Sequence, residues 1–243
     1  GLLGYLYKVT LFANWNINRK TTSTKAADKV NPFKTLKKEK ILFDRSIRRY
    51  NFFYNRSGTG IGVEVGYEDR SNKQLNQNGF ESMENDQFRT LVRWNINRSF
   101  QSVMKWENET RENASDFLTS RNFLLEGNSY APEFIWQPSS NWRFSVDYQY
   151  SIRQNVLSEG QGEKSSINEW GGSFTWSNAQ KGSLKADFNY LNIDFKGDED
   201  TYLGYTLLDG LQEGNNLRFS MNWQQNLKNG LQLTVQYFGR KSE

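Results

Sequence analysis

Trp142-Arg143-Phe144-Ser145-Val146-Asp147-Tyr148-Gln149-Tyr150-Ser151-Ile152-Arg153 alternates apolar and polar residues without a break. Successive side chains of a β-strand point to opposite faces. The stretch therefore reads as a strand with one aromatic face and one wet face. The same period recurs in both directions along the chain. Leu217, Phe219, Met221 and Trp223 alternate with Arg218, Ser220, Asn222 and Gln224. Leu231, Leu233, Val235 and Tyr237 alternate with polar partners, as do Ile61, Val63, Val65 and Tyr67. Val9, Leu11, Ala13, Trp15 and Ile17 follow the rule with Phe12 as an exception, and Phe88, Val92, Trp94 and Ile96 follow it with Leu91 out of phase. The phase slips at Tyr190-Leu191 and across Ile47 to Tyr50, which predicts a β-bulge at each.

Eleven strands result, near 5–18, 41–54, 60–69, 87–97, 100–109, 127–137, 141–153, 167–177, 182–195, 215–226 and 230–240. Their connections alternate in length. Asn55 to Thr59, Asn97-Arg98-Ser99, Pro138-Ser139-Ser140, Asn178 to Gly182 and Leu227 to Gly230 are tight and carry turn-forming residues. Segments 19–40, 70–86, 110–126, 154–166 and 196–214 are long and polar. Long connections on one side and short ones on the other are the habit of outer-membrane barrels.

Composition narrows the choice. The mean hydropathy is −0.83, yet 15% of the 243 residues are aromatic. Disordered chains of such polarity are poor in aromatics, and soluble domains carry more aliphatic residues. A transmembrane barrel can be half polar because only one face of each strand meets lipid. No stretch approaches the roughly 18 apolar residues of a membrane helix. The absence of Cys and His removes disulfides, thiolate metal sites and Ser-His-Asp catalysis. A net charge of +4 in a mixed pattern is too mild to argue for nucleic acid.

Tyr54, Trp94, Trp136, Trp142, Trp176 and Trp223 all fall beside short turns and are expected to form a membrane-interface girdle. Trp15, Tyr67, Trp170, Tyr190 and Tyr237 fall toward the long connections and suit the opposite belt. Opposite the aromatic face, Arg89, Arg93, Arg143, Asp147, Lys185 and Asp187 are expected to line a lumen, together with most of Arg45, Arg48, Arg49, Arg153, Asp44, Glu64 and Glu68. Mixed charges can pair across a small barrel, so a filled or plugged lumen is favoured over an open pore. The fold expected is all-β, an antiparallel up-and-down transmembrane β-barrel. About 11 strands lie in residues 1–243, a single domain read as cut at both ends. At least twelve are expected in the whole, because single-chain bacterial barrels use an even number.

Arg93 to Arg98, Thr119 to Phe123, Leu207 to Asn216 and Tyr237 to Ser242 resemble the C-terminal region of large outer-membrane or surface proteins of Bacteroidota. The resemblance covers nearly the whole chain, most specifically from about Asn78 onward. It implies an outer-membrane location and a further strand, ending in Phe, after Ser242. It implies no activity.

Other motifs have plain readings. Gly58-Thr59-Gly60-Ile61-Gly62 is followed by strand, not helix, which argues for a turn over a phosphate loop. The carboxylates of Gly197-Asp198-Glu199-Asp200, and those of Glu107, Glu109 and Glu112, match no EF-hand spacing and read as solvated. Lys34, Lys37, Lys38, Glu39 and Lys40 form a basic cluster in the first long connection. Leu203, Leu207 and Leu211 sit at helical spacing, which predicts a short amphipathic helix or a cap folded back on the barrel. No catalytic, metal or cofactor residues are expected. The expected partners are the outer-membrane bilayer and other outer-membrane or surface proteins. The expected role is a membrane anchor or a subunit of a surface, secretion or assembly complex. The alternatives are a small-solute channel and a soluble carbohydrate-binding β-sandwich.

Overall fold

A computed structural model describes residues 9–21, 41–56, 60–157, 162–227 and 230–242. Eleven strands follow one another: β1 (Val9–Thr21), β2 (Ile41–Tyr54), β3 (Ile61–Asn76), β4 (Gly79–Asn95), β5 (Phe100–Ser115), β6 (Phe123–Ser139), β7 (Trp142–Asn155), β8 (Lys164–Asn178), β9 (Gly182–Lys196), β10 (Gly214–Asn226) and β11 (Gln232–Ser242). One α-helix, α1 (Tyr202–Leu207), lies between β9 and β10, and a 3-10 turn, Thr119–Arg121, precedes β6. The strands form a single antiparallel sheet in sequence order. Every pairing is a hairpin with the next strand. The expected up-and-down arrangement is therefore present, but β1 and β11 are not paired and the sheet is open.

The ladder registers put each alternating set on one face. Across β7 and β8, Trp142 pairs with Trp176, Phe144 with Phe174 and Tyr148 with Trp170, while Ser145 pairs with Ser173 and Asp147 with Gly171. The same division continues through every neighbouring ladder. A soluble protein would bury the aromatic face. Here Val146 is 56% exposed, whereas Ser145, its neighbour on the polar face, is 8% exposed. Ser151, Ser165 and Asn216 of the polar face are buried as well.

Neither expected bulge is present. β9 pairs in continuous register with β8 and β10 through Tyr190 and Leu191, and β2 does so through Ile47 to Tyr50. The apparent slip at Leu191 is a change in the polar face itself. At the long-connection end, Leu191, Ile193 and Phe195 make that face apolar. Register shifts occur instead at Lys20/Thr21 and between Trp136 and Ser139, where Pro138 removes a backbone donor. Segment 70–86, expected as a loop, is mostly strand: β3 and β4 continue as a hairpin closed at Gln77-Asn78. Its polar composition hid the strands because neither face there is apolar.

The main core explains the apolar part of the polar face. Phe123, Leu125, Ile167, Leu191, Ile193 and Phe195 pack with Leu207 and Leu208, and Leu203 and Leu211 flank them. Leu207 is 0% and Leu208 2% exposed. The β9–β10 connection thus folds back over the sheet, as the leucine spacing suggested. The Thr201 hydroxyl caps α1 by accepting from Gly204 N–H at 2.9 Å. Arg153 of β7 pairs with Asp209 at 2.9 Å. The basic cluster Lys34 to Lys40 lies outside the described residues.

Candidate membrane-facing surface

On eight strands the aromatic face presents the same band. It runs Ile61 to Tyr67 on β3, Trp94 to Phe88 on β4, Phe100 to Trp106 on β5, Trp136 to Tyr130 on β6, Trp142 to Tyr148 on β7, Trp176 to Trp170 on β8, Leu184 to Tyr190 on β9 and Trp223 to Leu217 on β10. No charged residue interrupts it on this face. Its length is about 20 Å along the strand, at about 3.4 Å per residue. With the reach of its flanking rings it is comparable to the apolar belt of roughly 25 Å around outer-membrane barrels.

All six expected girdle residues, Tyr54, Trp94, Trp136, Trp142, Trp176 and Trp223, lie on this face at the short-turn end. Several join an aromatic ladder across β5 to β8. Phe100 and Trp136 lie 6.1 Å apart, Trp136 and Phe144 5.2 Å, Phe144 and Phe174 5.1 Å, and Trp142 and Trp176 6.3 Å.

The other end of the band has a boundary that sequence reasoning missed. Asn108 pairs with Asn128, and Asn168 pairs with Asn192, which pairs with Asn215. These amides stand on the aromatic face, immediately beyond its last rings. Asn108 donates to Asn128 at 3.1 Å and Asn192 to Asn215 at 3.0 Å. The phenols reach toward this rung: Tyr148 donates to Asn168 and Tyr190 to Asn215, both at 2.8 Å, and Tyr67 donates to Asp86 at 3.1 Å. Trp15 donates to Tyr50 at 3.0 Å. Each ring keeps its apolar body in the band and its polar tip beyond it, the behaviour of interfacial aromatics. Trp106 and Tyr130 are the last rings of the band on β5 and β6 and were also overlooked. Cross-strand register sets these asparagines in two short rungs, Asn108 with Asn128 and Asn168 with Asn192 and Asn215, although in sequence they look like ordinary loop-side residues.

The polar face holds all six residues expected to line a lumen. Arg89 pairs with Glu64 at 3.1 Å. Arg93 donates to the backbone carbonyls of Arg56 at 2.7 Å and Asn55 at 2.8 Å, fastening the β2–β3 turn. The Asp147 carboxylate lies over Gly171, where no Cβ obstructs it. Lys185 pairs with Asp187 at 3.1 Å, and Asp187 also accepts from Ser220 at 3.2 Å. Arg143 is exposed and makes no ion pair among the described residues. Further pairs stitch the face: Arg49 to Glu68 at 2.7 Å, Lys105 to Glu133 at 3.5 Å and Arg218 to Glu169 at 3.0 Å. Glu68 takes Arg70 as well. Arg48 and Asp44, two of the strand charges of which most were expected in the lumen, stand on the aromatic face above the band, paired with Asp69 at 3.4 Å and Arg19 at 2.8 Å.

The Gly60–Gly62 run enters β3 directly, with Gly60 at φ +86° in the turn and no helix after it. Asp198 serves its own loop by accepting from Asp200 N–H at 3.0 Å. Comparison with protein-family models, with curated proteins and with solved structures finds no match to this chain.

Proposed function

We propose that this chain forms most of the wall of an outer-membrane β-barrel that anchors, or serves as a subunit of, a multi-protein surface, secretion or assembly complex. The observation that carries the membrane reading is the inverted sheet: an uncharged aromatic band exposed on one face, with amide pairs beyond its last rings, and paired charges on the other face. A contiguous apolar surface of this size is costly in water and favoured against lipid. The unpaired edges of β1 and β11 support closure, because an open edge inside a bilayer leaves backbone groups unsatisfied. They join directly or through further strands. A two-sheet sandwich would cover its aromatic faces; a single uncovered sheet weighs against that alternative.

The anchoring role over the channel role is supported by α1 and its core, which occupy the polar face at the long-connection end, and by the pairing of most charges there. Heat-modifiable migration in detergent gels and protease access in intact Gram-negative cells test the membrane reading. Cleavage confined to the connections after β1, β3, β5, β7 and β9, with a heat shift, is the expected result. A soluble fraction with no heat shift rejects the barrel. Conductance steps in planar bilayers would replace the anchor with a channel.

A further inference from the structure

The underside of α1 is buried, but its tyrosines are not: Tyr205 is 67% and Tyr202 49% exposed. A six-residue helix held down by Leu207 and Leu208 presents both rings rigidly. Beside Tyr202 opens a cleft of about 230 Å³ between α1, the 3-10 turn and the β3–β4 hairpin. Its lining is Asn72, Gln74, Glu81, Asn113 and Arg121 around the Tyr202 ring, with Met83 the one aliphatic member.

Both walls are fixed. Phe80 N–H donates to Asp116 at 3.0 Å and Asp116 N–H to the Phe80 carbonyl at 2.9 Å, tying the hairpin to the connection after β5. Asn113 donates to the Arg121 carbonyl at 2.8 Å, and Asn122 accepts from Ser115 N–H at 2.7 Å. Behind the Tyr202 ring, the buried Phe123 ring lies 6.2 Å away. The Arg121 guanidinium stands over the Tyr202 ring, 5.7 Å from its centre, and about half of the Tyr202 surface stays open to the cleft and solvent.

The chemistry selects a ligand class. Gln74 and Asn76 both donate to Glu81 Oε2, at 3.3 and 3.0 Å, which leaves Oε1 as an acceptor. The Asn113 carbonyl oxygen and the Asn72 amide add acceptors and donors at short range. Arg121 and Glu81 balance in charge, so the cleft favours a neutral guest. A neutral molecule rich in groups that both donate and accept, with an apolar face for a ring, is a saccharide. The geometry points to a binding cleft for a neutral hexose- or pentose-based oligosaccharide at the long-connection end of the sheet. It rests on the barrel reading only for which side of the membrane it faces.

The test is saturation-transfer NMR on the detergent-solubilised protein with maltohexaose, cellohexaose, mannohexaose and xylohexaose in turn. Transfer to at least one is expected. Tyr202→Ala should lower its affinity by about tenfold. Tyr202→Phe, which keeps the ring, and Tyr205→Ala, outside the cleft, should bind as the parent does. Far-UV circular dichroism establishes that each variant is folded. Absence of transfer to all four sugars, unchanged binding by Tyr202→Ala, or equal competition by a Gly-Ser dodecapeptide overturns the cleft. A heat shift on the same sample separates this failure from failure of the barrel.

Discussion

Asn97 and Asn178 perform the same task at two of the short turns. The Asn97 side-chain oxygen accepts from Ser99 N–H at 2.8 Å and Phe100 N–H at 2.9 Å. That of Asn178 accepts from Gln180 N–H at 3.0 Å and Lys181 N–H at 3.1 Å. Each side chain supplies acceptors that the turning backbone lacks. Asn97→Ala and Asn178→Ala should each cost about 1 kcal/mol, read from urea unfolding followed by tryptophan fluorescence. Gly182 carries a stricter demand. Its φ is +133°, and a Cβ would collide with the Gln224 carbonyl oxygen of β10. Gly182→Ala should cost more than either asparagine change, about 1–3 kcal/mol. These turns were legible in sequence because their residues announce their backbone. The role of Arg93 was not, since nothing in the string shows that its partners are carbonyls of Asn55 and Arg56, far away in the chain.

At the scale of elements, strand existence was legible wherever one face is apolar. It failed in the β3–β4 hairpin, whose outer half is polar on both faces; at Leu191 the strand itself was legible, but the polar face turning apolar under α1 was misread as a bulge. The leucine spacing announced the helix; the surface receiving it is assembled from β6, β8 and β9 and exists only after pairing. That surface makes a sharp expectation for Leu207→Ala. Truncation leaves a cavity beneath α1, a change that costs about 2–5 kcal/mol in well-packed cores. The strand ladders do not depend on it, so the loss should be local. Chymotrypsin should cut within 197–213 much faster in the variant, while the heat shift is retained. Loss of the heat shift together with cleavage throughout the strands would mean that α1 is part of the sheet's own folding unit. Asp209→Asn should change the cleavage far less, because the Asp209 side chain is about half exposed and such ion pairs contribute little.

For the whole molecule, the decisive property is which face meets water, and sequence alternation alone cannot assign it. A sandwich and a barrel wall share the same period; they differ in whether the aromatic set is covered. The absence of cysteine makes the question directly measurable, since every introduced thiol is the only one. Phe134 and Val146 are exposed positions of the aromatic band, whereas Arg143 and Lys185 are exposed positions of the polar face. In lipid vesicles, Phe134→Cys and Val146→Cys should resist a charged, water-soluble maleimide, because the reactive thiolate is disfavoured in hydrocarbon. Arg143→Cys, near the short-turn end, should label readily. Lys185→Cys should label more slowly if the polar face is narrowed by its ion pairs, and as fast as Arg143→Cys if that face borders open water. Transfer to denaturant should bring all four to similar rates. Fast labelling of Phe134→Cys and Val146→Cys in vesicles would place the aromatic band in water, which rejects the lipid-facing assignment whatever the shape of the sheet. Protection of those two in vesicles with labelling of Arg143→Cys, lost when the lipid is removed, is the pattern of an inverted, lipid-facing wall, because a soluble sheet that buries its aromatics in a partner would keep the protection when the vesicles are replaced by lipid-free buffer.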